Sequence, residues 1–502
     1  MGSRRFAQRG HAGLASELMG SRSHSPARRR PSGRTVVAAA VAAVALLYGV
    51  SLLRSGDKAA PRQVVETLSL SPQPATPAVP TPSLIDSALA KVQDVALSLT
   101  GAPPSSGLSV VHLTDERLQQ ARPLMGQAEA RLIQIYQLIS QARHREALAQ
   151  AEALVRDHPN FQLAQLVLGD LLSLQTRPLR RLGDVTDSSQ ANSEQLGILR
   201  EESRRRLQAL TERPPEGSVP TQFLTLSAQS RHAIAIDASR SRLYLFENLN
   251  PARSSGGVDR TPRLKLLGDY YISVGISGIE KTVEGDKRTP LGVYYITSTL
   301  NPADLPDLYG VGALPINYPN ALDLQRGKTG SGIWLHGTPT EQFVRAPQAS
   351  DGCVVLSNPD LQRLLATVQI RTTPVVIAES LQWVQPTALA SEREQFEAVL
   401  DAWRRTRSEG RLDELKGFYS SRFQNQGRDL AQWWPRVENE LRANGGRELA
   451  MKDLSVLRWH DQDDTMVVTF GEVAAGQSRG VTKRQYWVRE QDRWTIFFEG
   501  TI

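Results

Sequence analysis

The sequence predicts a multidomain chain: an N-terminal transmembrane helix, a helical segment, a mostly-β central domain and a C-terminal α+β domain. Three observations predict it. Residues 35–53 are 19 consecutive residues without a charge, enough to cross roughly 30 Å of hydrocarbon as a helix. Between 115 and 212, apolar residues recur at helical spacing, and from His232 the period drops to two. At roughly 150 residues per domain, a 502-residue chain has room for about three domains.

The charge is concentrated at one end. The chain carries 59 Lys+Arg and 52 Asp+Glu, a net of +7. Residues 1–34 hold eight arginines and one acidic residue, Glu17, which is also +7, so the remainder sums to zero. The basic excess belongs to a tail, and composition gives no support for a globular nucleic-acid binder. Eight arginines before the apolar run, against Arg54 and Lys58 just after it, favour an N-inside orientation. The long basic region, and the lack of a small-x-small site before Arg54, favour an anchor over a cleaved signal peptide. The expectation is a cytoplasmic tail (1–34) and a single-pass anchor (35–53), with the rest on the outer side of the inner membrane, in the periplasm of a bacterium.

Eight prolines lie between 61 and 104, including Pro72, Pro74, Pro77, Pro80 and Pro82. Prolines that close together favour an extended spacer over a packed domain. Residues 54–112 read as that spacer, with a short amphipathic helix over 83–99. The helical segment (113–215) shows helical spacing over 128–142 and 145–156, a break at Asp157-His158-Pro159-Asn160, and resumption over 161–174. This text resembles a tetratricopeptide-type hairpin. A helical bundle packed on its neighbour fits the same spacing. A charged helix follows over 196–213, and the segment could take a protein partner.

The central domain (229–380) opens with strands at 233–237 and 242–246. Further strands follow at 264–274, 291–297, 333–336 and 374–378, with a glycine-rich polar stretch over 275–289. Two short stretches carry chemistry: Ile333-Trp334-Leu335-His336-Gly337, and Ser350-Asp351-Gly352-Cys353-Val354-Val355-Leu356. Cys353 is the only cysteine, so disulfide frameworks and multi-cysteine metal sites are excluded. No cofactor or metal is expected. A thiol is nucleophilic as thiolate, and an imidazole that takes its proton would form an ion pair that lowers the thiol pKa. The backbone N–H groups of Gly352 and Cys353 could then form an oxyanion hole. The plain alternatives are a buried inert cysteine and a structural histidine. Against them, the thiol is the sole one, is expected outside the cytoplasm and sits in a glycine turn.

These residues resemble a known family. The pattern His336-Gly337 … Ser350-x-Gly352-Cys353-Val354-x-Leu356-x-Asn358 is similar to the catalytic region of L,D-transpeptidases of the YkuD type. Residues 278–294 (GIEKTVEGDKRTPLGVY) are similar to the glycine-rich segment of the same family. The resemblance implies a mostly-β sandwich with a helix over 358–367. It implies Cys353 as nucleophile, His336 as general base, the Gly337 carbonyl as the group orienting the histidine, and Ser350 and Gly352 shaping the loop. Two departures stand out. Asp351 occupies a position often held by histidine, and Val355 one often held by arginine. A carboxylate two residues from a thiolate raises the thiol pKa unless it points away. Asp351 could instead orient substrate amines or amides.

The implied reaction is attack on the third residue of a peptidoglycan tetrapeptide stem, release of D-alanine, and resolution of the thioester by an amine. That amine would come from a second stem or a lipoprotein lysine. With water as acceptor the protein would be a hydrolase instead. The rival from another class is a non-catalytic wall-binding scaffold. Arg288, Lys287 and Lys281 could meet substrate carboxylates, or simply form a solvated basic loop. Trp334 is a candidate substrate contact, although it also suits the core, as Tyr294 and Tyr295 do.

The C-terminal domain (389–502) follows a short linker at 384–388. It shows helices over 391–407, 411–419 and 429–443, then strands over 454–458, 466–472, 481–489 and 493–499. Helices followed by a curved sheet resemble the nuclear transport factor 2-like (SnoaL-like) cone. That fold serves enzymes and non-enzymes alike, so a binding or positioning role is expected. His460-Asp461-Gln462-Asp463-Asp464 reads as a hairpin turn rather than a metal site.

Overall fold

The computed structural model describes residues 119–179, 181–184, 190–250 and 260–502. The expected tail (1–34), anchor (35–53) and spacer (54–112) lie outside the described residues, as do the first residues of the helical segment. Among the described residues, no helix is long and apolar enough to cross a membrane.

The helical segment comprises α1 (Gln127–Ser140), α2 (His144–Asp157), α3 (Gln162–Ser173) and α4 (Gln190–Thr211). Leu132, Ile135, Ala147, Leu154, Leu163 and Val167 form its core, at the i, i+3, i+4 and i+7 spacing that gives each helix one apolar face. The helix α4 is different. Its buried residues include Glu202, Ser203 and Arg206, so it packs on α1 through polar and charged groups. Arg206 pairs with Glu202 at 2.8 Å and with Glu129 of α1 at 2.7 Å.

The central domain begins with two short strands, β1 (Val219–Pro220) and β2 (Phe223–Thr225), that serve its C-terminal neighbour. Its own elements are β3 (His232–Asp237), β4 (Arg242–Asn248), β5 (Leu264–Tyr271), β6 (Val274–Gly275), β7 (Gly292–Tyr295) and β8 (Ala313–Pro315). They continue with α5 (Ala321–Gln325), β9 (Trp334–His336), β10 (Gln348–Ser350), β11 (Val354–Val355), α6 (Asn358–Thr367), β12 (Pro374–Ala378) and β13 (Trp383–Val384). A five-stranded sheet in the order β5-β4-β3-β12-β7 packs on a three-stranded sheet in the order β11-β9-β8. Ile234, Ile236, Leu243, Val375 and Ile377 meet Leu314, Leu335 and Val354 between the two sheets. Residues on the other face of the large sheet, Ala233, Ala235, Tyr244, Val293 and Val376, are also buried. Strands covered on both faces read as continuous apolar runs, as 233–236 and 374–378 do. The helix α6 is capped by Ser357, whose hydroxyl accepts the Asp360 N–H, and Pro359 occupies its first turn.

The C-terminal domain contains α7 (Ala390–Ser408), α8 (Leu412–Lys416), α9 (Leu430–Asn444), β14 (Leu449–His460), β15 (Asp464–Ala474), β16 (Val481–Glu490) and β17 (Arg493–Thr501). The sheet runs β17-β16-β15-β14-β2, so a strand from the start of the central domain completes it. Its inner face holds Phe396, Leu400, Trp403, Trp433 and Trp487. Its outer face presents Leu457, Trp459, Val467, Tyr486 and Val488 to the central five-stranded sheet. Alternation along β16 (Trp487 inward, Tyr486 and Val488 outward) is the period-two signal of a strand with two environments.

Two expectations differ from the structure. The linker at 384–388 is ordered: β13 pairs with β1, and a 3₁₀ turn at Pro386–Leu389 runs into α7. The strand β2 was not foreseen, because three residues are too few to display a period and their partner β14 is remote in sequence. His460 and Asp464 end and begin the hairpin strands β14 and β15 and pair at 2.7 Å, in keeping with a turn.

Candidate active site

Register places the two candidate catalytic residues on neighbouring segments, His336 in β9 and Cys353 immediately before β11. The strands β11 and β9 are parallel, with Val354 opposite Leu335 and Val355 opposite His336. Successive side chains on a strand alternate faces. Leu335 and Val354 therefore point into the core, and Trp334, His336 and Cys353 share the opposite face. The site lies on the side of the small sheet away from the large one.

His336 is 3% exposed. Its Nδ1 lies 2.7 Å from the Gly337 carbonyl oxygen. A carbonyl only accepts, so Nδ1 carries the proton and Nε2 keeps its lone pair. Burial pushes the His336 pKa down to about 4, opposed by the Gly337 bond and assisted by the positive charge of Arg345. The imidazole is thus neutral throughout the neutral range.

Gly337 is held in turn. Its N–H donates to the Tyr309 carbonyl at 3.0 Å, and a Cβ at this position would collide with the Asn358 side-chain oxygen. Asn358 accepts from the Thr338 N–H at 3.1 Å and the Val311 N–H at 3.3 Å, and donates to the Thr338 carbonyl at 2.9 Å. The asparagine at the end of the sequence motif therefore fixes the backbone that orients the histidine.

Cys353 is half-buried. Its Sγ lies 3.5 Å from the Gly332 carbonyl oxygen. Burial pushes the thiol above its usual range. The Trp334 backbone N–H and the Arg345 charge pull it down, and Asp351 adds to the rise. The thiol is raised and the imidazole lowered, so burial favours the uncharged form of each. Desolvation disfavours both charged forms and so opposes the ion pair expected from the sequence.

The loop carrying Cys353 is braced from below. Ser350 Oγ donates to the Cys353 carbonyl at 2.6 Å and accepts the Gly352 N–H at 3.1 Å. Thr289, fully buried in the glycine-rich segment, donates to the Gly352 carbonyl at 2.9 Å and accepts the Gly275 N–H at 2.9 Å. Gly352 has φ +119°, and a Cβ there would lie 2.7 Å from the Arg288 carbonyl oxygen, so only glycine fits. The Gly352 N–H is spent on Ser350, which removes it from the expected oxyanion hole and leaves the Cys353 N–H as the donor of that pair.

The remaining candidates separate. Asp351 is 82% exposed on its side chain and lies 3.5 Å from Lys287, so it points to solvent. Lys281 is buried and committed to Asp286 at 2.8 Å and to the Val283 carbonyl at 3.0 Å. Arg288 reaches back to the Ile279 carbonyl at 2.9 Å. Trp334 stands half-buried at the site with its ring 4.8 Å from Tyr309, whereas Tyr294 and Tyr295 are core. Sequence reading missed Tyr309, whose ring also lies 5.0 Å from His336. It missed Arg345 and Thr289 as well. Thr289 had a signal, its place in the glycine-rich motif. Tyr309 and Arg345 had none.

Residues 231–377 match the family model of the L,D-transpeptidase (YkuD) catalytic domain, and residues 395–500 that of the Cds6 C-terminal NTF2-like domain. Among solved structures, Bd1075 of Bdellovibrio bacteriovorus is 23% identical, covering 57% of this chain and 98% of its own, with a TM-score of 0.46. The helical cell shape determining protein Pgp2 of Campylobacter jejuni is 20% identical, covering 56% of this chain and 95% of its own, with a TM-score of 0.43. No curated protein matches the chain.

Proposed function

With a YkuD-type L,D-transpeptidase catalytic domain at 231–377 and an NTF2-like domain at 395–500 as the premise, we propose that the protein is a cysteine acyltransferase acting on peptidoglycan stem peptides. The observation that carries this reading is the pairing of β9 with β11, which sets His336 and Cys353 on one face while Gly337 keeps Nε2 unprotonated.

The chemistry begins from the neutral pair. As Sγ attacks the carbonyl carbon of the third stem residue, Nε2 takes the thiol proton. The carbonyl oxygen gains negative charge and meets the Cys353 N–H. The C–N bond to D-alanine then breaks, and the amine leaves with the proton from Nε2. A thioester remains on Cys353. An amine of a second stem or of a lipoprotein attacks it and loses a proton to Nε2. The C–S bond breaks and the thiol is restored. In this reading the catalytic domain works outside the cytoplasm, held to the inner membrane by the apolar run at 35–53.

The test is product analysis of tetrapeptide muropeptides incubated with the purified full-length protein. Crosslinked dimers with free D-alanine, and an acyl adduct on Cys353, are expected, and Cys353→Ala should abolish all three. Shortened stems without dimers would identify a hydrolase. Absence of both product and adduct would leave the non-catalytic scaffold.

A further inference from the structure

The strand carrying His336 and the loop carrying Cys353 are joined by residues 337–349. The catalytic domain does not hold that connection alone. Phe343 is buried in the core of the helical segment, its ring 4.6 Å from Phe161 and 4.9 Å from His158. Its N–H donates to the Asn160 carbonyl at 3.3 Å, and the Asn160 side chain donates to the Thr340 carbonyl at 3.0 Å. Two residues on, the Arg345 carbonyl accepts from the Tyr271 hydroxyl at 3.1 Å. The Arg206 guanidinium of α4 lies 3.9 Å over the Tyr271 ring. The break between α2 and α3 is thus a docking corner for the connection that leads to the nucleophile.

The side chain delivered by this arrangement is Arg345. It is half-buried, and its charge acts on Cys353, Asp351 and His336. Among the described residues its guanidinium makes one hydrogen bond, a long contact of 3.4 Å to the Ala349 carbonyl, and no ion pair. The neighbouring cations are committed: Lys281 to Asp286, Lys287 to Asp351, and Arg288 to the Ile279 carbonyl. Position 355 holds a buried valine. A half-buried guanidinium that touches the backbone of Ala349, four residues ahead of Cys353, with its fork largely open, is arranged to receive an anion.

We propose that Arg345 is the anion anchor of the site: its guanidinium binds a carboxylate of the donor stem beside Cys353, and the helical segment holds it in position. The identity of the carboxylate rests on the function proposed above. The anchor itself does not.

Alkylation of Cys353 tests it without any peptide, because the chain has a single thiol. Purified full-length protein is treated with iodoacetate, which carries a carboxylate, and with iodoacetamide, which does not. In both reactions Sγ displaces iodide and forms an S–C bond. The thiolate fraction is common to both, so the rate ratio reads the attraction for the carboxylate alone. Arg345→Gln should lower the iodoacetate/iodoacetamide ratio by about two- to fivefold, the size of a partly screened charge contact. Arg345→Lys should retain most of it. A ratio unchanged in Arg345→Gln would overturn the proposal. A ratio that falls, in a protein that leaves tetrapeptides untouched, would keep the anchor and reject acyl transfer.

Discussion

The central domain has a neighbour on each side, and the two are joined to it by opposite chemistry. On the helical side the contact is a buried ionic network. Arg242 of β4 is fully buried between Glu129 of α1 at 2.8 Å and Asp269 of β5 at 2.6 Å, and Glu129 also holds Arg206. On the C-terminal side, Phe223, Tyr244, Phe246 and Val376 meet Leu457, Trp459, Tyr486 and Phe497. Arg484 lies flat on the Tyr295 ring at 3.4 Å, and Arg326 pairs with Asp461. Apolar contact stabilises in proportion to area and tolerates small shifts. Buried ion pairs add little net stability but fail badly when one partner is lost. The ionic side is also the one that reaches the candidate site, through Tyr271 and Phe343. The apolar side touches the back of the large sheet, two layers from Cys353. The difference suggests a division of labour in which the C-terminal contact stabilises the fold and the helical contact fixes geometry.

Four variants would break or sharpen that comparison. The largest effect is expected from Arg242→Ala, which strands the buried Asp269 carboxylate, leaves Glu129 with Arg206 alone, and should cost about 3–5 kcal/mol in urea unfolding. Next is Leu457→Ala on the apolar side, with a loss of about 2–4 kcal/mol. The alkylation ratio of the folded fraction should stay at the parent value. A changed ratio would mean that the C-terminal contact also shapes the site.

The third variant uses pH. Asp360 lies buried where α6 meets the helical segment, and burial raises its pKa to about 6. The folded value exceeds the unfolded one, so the fold favours the neutral acid. That contribution is complete below about pH 4 and is lost as pH rises through about 6. In Asp360→Asn the stability difference from the parent should therefore move by about 2 kcal/mol, in favour of the variant, between pH 4 and pH 8. A constant difference would contradict the raised pKa. The smallest effect on stability belongs to Phe343→Leu, about 1 kcal/mol. It should nonetheless lower the alkylation ratio, which a purely structural role for this ring would not do.

Much of this was legible in the sequence, and the rest was hidden for definable reasons. His336, Gly337, Ser350, Gly352, Cys353 and Asn358 sit in local patterns, and the strand pairing that joins them follows from apolar runs. The double coverage of the large sheet was written in 233–236 and 374–378, where no polar residue interrupts. Burial was not visible. The sequence therefore favours an ion pair at Cys353 and His336, which desolvation of both groups opposes. Arg345 and Tyr309 have no motif, since each reaches the site from a loop fixed elsewhere. The strand β2 belongs to a sheet whose other strands begin at Leu449, a pairing that no local period records.

That borrowed strand has a consequence for how the molecule comes to exist. Residues 223–225 leave the ribosome long before β14 does. Until residue 449 follows, Phe223 and the apolar face of the large sheet have nothing to cover them. Such a chain has high contact order and passes through a stage with an open sheet edge, the state most prone to aggregate. The catalytic domain is therefore not a detachable module: a chain ending near residue 380 would have the whole active-site sequence and still lack the surface on which its main sheet rests.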